Sequence, residues 1–203
     1  TSIGKSAFSY CKQLEIIEIP DDSKLQTIDK NAFFGSAIKS IKIPSELIDL
    51  KEGWFSGTKY LTQISVSQKN PRYCIFEDKM IVGKSNIGEN NYDCLVFCVR
   101  DIRQIKIPDF IEHICSYLFE DYKQLENVEF SNDSKLQTID KYAFSESTIK
   151  SIRIPSSVTS IGDSAFLRCK QLEVIEFSND SKLQTIDKYA FSGSTIKSIR
   201  IPS

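Results

Sequence analysis

The side chains that could carry chemistry in this 203-residue chain are one histidine, six cysteines and a dense set of carboxylates and cations. A hydrolytic centre needs a nucleophile beside a base that a third group holds, and a metal centre needs several ligands at short spacings. The sequence has no His-x3-His, no Cys-x2-Cys and no nucleophile elbow. His113, in Phe110-Ile111-Glu112-His113-Ile114, has no Cys or His at ligand spacing and reads as a solvent-facing arm residue. Cys94 and Cys98 come nearest to a pair, but residues four apart on a strand share a face and meet only if the strand is broken. No catalytic residue, metal or cofactor is assigned, and the protein is expected not to be an enzyme.

Charge narrows the partners. A formal net charge of -1 removes the electrostatic case for nucleic acid or an anionic membrane. No apolar run reaches the roughly 18 residues that span a bilayer. The chain opens on Thr1-Ser2-Ile3-Gly4 rather than on a basic and then apolar leader, so any targeting element is expected elsewhere.

The elements that position these charges come from a repeat. An Ile/Leu-x4-Phe arm occurs seven times, at Ile3 to Phe8, Ile28 to Phe33, Leu50 to Phe55, Ile114 to Phe119, Ile139 to Phe144, Ile161 to Phe166 and Ile186 to Phe191. A second signature follows each arm, as in Leu14-x2-Ile17-x-Ile19-Pro20 and Ile149-x2-Ile152-x-Ile154-Pro155. Successive units are 22 residues (Ile139 to Ile161) and 25 residues (Ile161 to Ile186) long, within the leucine-rich-repeat range. Alternation in Ile-x-Ile suits a short strand that Pro ends. Stacked units then form a parallel sheet at about 4.8 Å per rung, with the arm as opposite wall and its Phe in the interior. The expectation is a mostly β leucine-rich-repeat solenoid over residues 1–203, with few short 3₁₀ or α turns.

On such a stack the exposed charges alternate by rung. Glu15 and Glu18 precede Lys39 and Lys42; Arg103 and Lys106 precede Glu126 and Glu129, then Lys150 and Arg153, Glu173 and Glu176, Lys197 and Arg200. Cross-strand pairing accounts for this pattern and fixes register against a one-rung slip. The same striped face could equally meet a partner with complementary stripes, with Lys42, Gln63, Ser65, Gln104, Lys106, Glu129, Arg153, Glu176 and Arg200 as contacts. The uncharged rung Thr62-Gln63-Ser65 is a second candidate spot.

The text Ala165-Phe166-Leu167-Arg168-Cys169-Lys170-Gln171-Leu172-Glu173-Val174-Ile175-Glu176-Phe177, with Ile154-Pro155-Ser156-Ser157-Val158-Thr159-Ser160-Ile161-Gly162, resembles the BspA-like, or Treponema-type, leucine-rich repeats. The resemblance covers essentially the whole chain. It implies a binding protein, since members include surface proteins of oral bacteria and of mucosal protist parasites linked to adhesion. It implies an extracellular or cell-surface location and a host-cell or matrix protein as partner, with a glycan as a second class. The alternative is a structural spacer or stalk that displays another domain. Trp54 and Leu118 depart from the family pattern by replacing the small Ala before Phe55 and Phe119.

Those two departures flank an island at residues 68–101, where consecutive strand starts, Leu61 and Ile102, stand 41 residues apart. Asn70 to Val82, a Gly/Asn-rich loop and Asp93 to Val99 read as two strands of a β-hairpin. The text resembles the N-P-x-Y hairpin within arrays of the same family, a built-in variant whose tip could also meet a partner. Cys11 and Cys169 share one repeat slot and read as packing residues; Cys115 occupies another. Cys74, Cys94 and Cys98, all in the island, could supply one disulfide, against an all-reduced state. Asn132 and Asn179 begin Asn-x-Ser sequons in exposed turns and are glycan acceptors if the host glycosylates. The chain starts inside an arm and stops at Ile201-Pro202-Ser203 without a polar cap, so further repeats or end-to-end self-association are expected.

Overall fold

The structure, a computed structural model, describes residues 1–201; Pro202 and Ser203, which follow the final strand in the sequence reading, lie outside the described residues. The chain forms two compact units, Thr1–Asp101 and Ile102–Ser203.

In the first unit, β1 (Ser2–Ile3), β2 (Thr27–Ile28), β3 (Ser40–Ile43), β4 (Asp49–Leu50) and β5 (Gln63–Val66) come from the repeats. The short strands stack in parallel in the order β1-β2-β4, and β3 pairs in parallel with β5. The island adds β6 (Tyr73–Phe76), β7 (Met80–Gly83) and β8 (Cys94–Cys98), joined antiparallel in chain order. The β7 and β8 pair is the hairpin read from sequence. The extra strand β6 arises because Asn70 to Val82 folds back at Glu77-Asp78, both at positive φ (50° and 53°). Three residues, 77–79, link the paired Phe76 and Met80, and the two at positive φ turn the chain in the sense that suits strand twist without the Gly that usually signals it.

The second unit holds β9 (Gln104–Ile107), β10 (His113–Ile114), β11 (Asn127–Phe130), β12 (Thr138–Ile139), β13 (Ser151–Ile154), β14 (Ser160–Ile161), β15 (Val174–Phe177), β16 (Thr185–Ile186) and β17 (Ser198–Ile199). Its four-residue strands stack in parallel as β9-β11-β13-β15, followed by the two-residue β17, and its other two-residue strands stack as β10-β12-β14-β16. Thr138 pairs with Ser160 and Ser160 with Thr185, so the 22- and 25-residue units deliver the same rung. Inward Ile residues are shut away: Ile114, Ile139 and Ile161 are fully buried, and Ile105, Val128, Ile152 and Ile175 nearly so.

The arms contain no α- or 3₁₀-helical segment among the described residues. Each arm instead carries two residues at positive φ, four apart: 6 and 10, 31 and 35, 53 and 57, 117 and 121, 142 and 146, 164 and 168, 189 and 193. Alternate N–H groups then point in different directions. Those of Tyr142, Phe144 and Glu146 donate to Asp163, Ala165 and Leu167 of the next coil at 3.0, 2.7 and 2.8 Å, while Ala143 and Ser145 donate to Asp140 and Tyr142 within the arm. The arm is thus a third backbone ladder, half rung and half turn, that satisfies its polar groups while turning the chain.

Between the ladders the arm phenylalanines form a column. Phe119, Phe144, Phe166 and Phe191 stack with ring centroids 4.9, 5.0 and 5.3 Å apart. In the first unit Phe8 stacks on Phe33, and the column then changes character at Trp54, which meets Phe33, Phe55 and Phe97 at 6.4, 5.0 and 6.0 Å. The bulk of Trp54 where Ala packs elsewhere is accommodated because β8 delivers Phe97 in place of a regular coil's ring.

Close coil approach sets one glycine. A Cβ on Gly162 would lie 2.8 Å from Lys141 N and 3.0 Å from Asp140 C, both backbone, whereas one on Gly4 would meet nothing within 4 Å. Gly162→Ala is expected to destabilise by about 1–3 kcal/mol, the range for overpacking, and Gly4→Ala to leave the urea midpoint unchanged. Equal midpoints for the two would refute the close approach.

Candidate functional site

Strand alternation puts two rows of charges on the exposed face. The first row precedes each long strand and is closed on itself. Lys39 Nζ lies 2.6 Å from Glu15, Lys150 Nζ 2.5 Å and Arg103 3.7 Å from Glu126, and Lys197 Nζ 2.6 Å from Glu173. The Lys150 hydrogen bond and charge, with Arg103 adding, hold the Glu126 carboxyl below its ordinary value. Cross-strand pairing, as read from the sequence, is what this row does.

The second row lies inside the strands, where side chains stand perpendicular to the sheet. Lys106 is in register with Glu129, and Arg153 with Glu176, all four exposed. Among the described residues, no ion pair joins any two of them. Asn127 Nδ2 donates to Glu129 Oε1 at 2.8 Å, which orients that carboxylate without neutralising it. Glu129, Arg153 and Glu176 border a groove of about 510 Å³ whose lining includes Ser151, Asn132 and Asp180. The Asp180 carboxyl is lowered by its hydrogen bond with Ser178 and with its own backbone, with Ser156 adding. Sequence reading missed Asp180 and Ser178 because they belong to a turn, and only folding lays that turn beside the strand.

The first unit carries a similar groove of about 590 Å³, lined by Glu18, Lys42, Gln63 and Ser65 and by Ile16, whose side chain is exposed. Lys42, opposite Ser65, reaches the turn residue Asp21 at 3.5 Å. Gln104 and Arg200 are exposed, on and just beyond their long strands.

The island is anchored by its first residues. Buried Asn70 donates to Pro44 and Leu47 carbonyls at 2.7 and 2.8 Å and accepts from the Arg72 and Tyr73 N–H groups. Arg72 Nη1 donates to Ile48 O at 2.9 Å, and Leu50 N donates to the Tyr73 hydroxyl at 3.2 Å. The N-P-x-Y text is therefore a structural clasp. What remains outside is the loop from Ser85 to Asn91, exposed throughout. Its base is closed by Asp93, which accepts from Ser85 N at 2.8 Å and from Ser85 Oγ. Burial pushes the Asp93 carboxyl up, but the Ser85 hydrogen bonds outweigh it and hold it low. A depressed carboxylate contributes stability above its unfolded value that is lost as pH falls through the folded one. Protection of the Ser85 amide, corrected for the intrinsic exchange rate, should therefore persist at neutral pH and fall only below the ordinary Asp range of about 3.9; protection lost already near pH 5 would contradict this clasp.

The disulfide expectation is corrected by topology. None of the six cysteines takes part in a disulfide among the described residues. β7 lies between β6 and β8, which keeps Cys74 about two strand spacings, roughly 9.6 Å, from either cysteine of β8, beyond the approximately 6.8 Å limit for bridged Cα atoms. Cys94 and Cys98 occupy the two ends of one strand. Burial raises the Cys98 thiol to about 12 and the Cys169 thiol to about 11. Cys169, donating to Phe144 O at 3.1 Å, is the packing residue its slot suggested, while Cys11 is half-buried. A thiol reagent at pH 8 should leave Cys98 and Cys169 unlabelled until the chain is unfolded in urea; labelling of either in the native protein would count against this burial.

His113 also departs from its reading. It sits half-buried in β10 with Nδ1 2.9 Å from Thr138 Oγ1, which donates to Asp140 at 3.0 Å. A separate hydroxyl contact joins the later short strands, Thr185 donating to Ser160 at 2.9 Å. Among the described residues, no group of three or more His, Cys, Asp or Glu could hold a metal ion. Both sequon asparagines, Asn132 and Asn179, are exposed, with Ser134 and Ser181 hydroxyls accepting from Leu136 and Leu183 N–H groups.

Parallel long and short strands repeating every 22–25 residues, linked by Phe-bearing arms, define a leucine-rich-repeat solenoid. The chain matches the model described as BspA type leucine rich repeat region (6 copies) over residues 1–93 and 85–203, and it belongs to that family. Among solved structures it is similar to a leucine rich cell surface protein from Faecalibacterium prausnitzii, at 26% identity and TM-score 0.70 over 96% of this chain and 55% of that one. The pneumococcal vaccine antigen PcpA shares the fold at 20% identity and TM-score 0.68, over 88% of this chain and 49% of that one. A leucine-rich repeat protein from Eubacterium ventriosum does so at 19% identity and TM-score 0.62, over 98% and 76%. The chain thus spans about half the length of the first two. No curated protein matches it. No helix among the described residues is long and apolar enough to cross a membrane.

Proposed function

We propose that this chain is the recognition part of a surface protein and binds another macromolecule, a host-cell or matrix protein, through the second charged row and the island loop. The observation that carries the reading is the contrast between rows. Charges needed to hold the stack are consumed in the first row, whereas Lys106, Glu129, Arg153 and Glu176 stand exposed, the last three around a groove. Repeat stacks offer such surfaces for contact, and function on a shared fold lies in the side chains added to it. A cell-surface setting is supported by the F. prausnitzii relative.

The test is a binding screen against host-cell surfaces and matrix proteins with two variants beside the parent. Deleting residues 70–100 would strip Phe97 from the core, so the loop variant instead replaces exposed residues 86–91 with Gly/Ser. The row variant neutralises Glu129, Arg153 and Glu176 to Gln. Capture lost in the row variant places recognition on the strand face, and capture lost in the loop variant places it on the island. Absence of any capture by the parent would sink the reading in favour of a spacer that displays another domain.

A further inference from the structure

The second row of the unit Ile102–Ser203 alternates in sign, Lys106, Glu129, Arg153, Glu176, on successive rungs, so like charges recur every second rung, at about 9.6 Å. That period constrains the partner. An extended peptide crossing the strands repeats its same-face side chains at about 6.6 Å and falls out of step within a few charges. Another sheet face met across its strands keeps step along its whole length. Of the two rows with this period and these signs, the first is closed by its own ion pairs, which leaves this row, on a second copy, as a matching surface.

We propose that a second copy of this chain docks face to face on this row, about a two-fold axis parallel to the strands that passes between β11 and β13. A rotation of this kind reverses rung order. If the axis passed through a rung, that rung would face itself and every charge would meet its like. With the axis between two adjacent rungs, every positive rung faces a negative one. Glu129 then faces the partner's Arg153, Arg153 faces the partner's Glu129, and Lys106 and Glu176 pair likewise, a closed isologous contact. The groove between Glu129 and Glu176 receives the partner's long side chains. Each exposed pair contributes little, so the dimer is weak and sensitive to salt. The inference rests on the reading of this row as the interaction face.

Sedimentation of the full chain tests it. At about 10 mM ionic strength, where screening reaches only beyond roughly 30 Å, the mass should climb with concentration from 23.1 kDa toward twice that value. It should return to the single-chain mass near 1 M salt, where the screening length is about 3 Å. Glu129→Lys alone and Arg153→Glu alone should each weaken dimerisation at least tenfold, because each sets like charges together twice. An equimolar mixture should recover it, since one contact sets the introduced lysine against the introduced glutamate and the other keeps Glu129 against Arg153. Glu129→Gln, which creates no repulsion, should weaken it severalfold and keeps the test open if a reversal disturbs folding. A parent monomeric at every concentration, or a mixture no better than its components, overturns the proposal. A row variant that loses macromolecular capture while the parent stays monomeric would overturn self-pairing alone and leave the interaction face standing.

Discussion

Phe97→Ala should lower the melting temperature by roughly 6–20 °C. Phe97 is fully buried, with its ring 4.7 Å from Phe55 and 6.0 Å from Trp54. The Arg100 guanidinium lies over both rings, 5.2 Å from Phe55 and 5.9 Å from Phe97, and donates to Phe55 O at 3.2 Å. Truncation removes the ring that occupies a regular coil's place in the column and exposes one side of a buried cation's aromatic seat. Buried Phe→Ala changes cost about 3–5 kcal/mol, and chains of this size shift by about 2–4 °C per kcal/mol. Melting followed by circular dichroism checks it. A shift below about 2 °C would mean that the hairpin is an ornament on the repeats rather than part of their core.

Phe144→Ala should have an effect of the same order for a different reason. Phe144 is sandwiched between Phe119 and Phe166 at 4.9 and 5.0 Å, with interplanar angles of 19° and 1°. Its loss opens a cavity in mid-column, and neither neighbour can fall into it because their arms are fixed by backbone rungs at 2.7 Å. About 3–5 kcal/mol is expected for Ala. Phe144→Leu, which keeps apolar volume and loses the two ring contacts, should cost about 1–3 kcal/mol, given about 0.5–1.5 kcal/mol per aromatic pair. Urea unfolding of the two variants separates packing from stacking. A Phe144→Leu variant as stable as the parent would show that stacking geometry adds nothing beyond volume.

The repeat, its two strand types and the interior Phe could be read from the sequence because each leaves a periodic apolar trace. Register was readable as well, since alternating Glu and Lys pay a penalty for a one-rung slip. The third ladder was not. Its left-handed positions are occupied by residues such as Tyr142, Glu146, Ser164 and Arg168 more often than by glycine, so the usual marker is missing. The turn at Glu77-Asp78 escaped notice for the same reason. The two charged rows carry identical signs in sequence, and only their placement before or within a strand decides which row pairs. Cys74, Cys94 and Cys98 look equivalent in a sequence, whereas an intervening strand separates the first from the others.

Three backbone ladders per coil bear on what happens when the molecule is pulled. A load along the stack opens rungs one coil at a time, so the resistance at any moment is that of a single coil rather than of the whole sheet. Each released coil of 22–25 residues lengthens the chain by roughly 70–80 Å of extended backbone in exchange for one rung of about 4.8 Å. A stack built this way yields in steps and dissipates work at each, and coils still stacked on the far side of the break keep their exposed face intact.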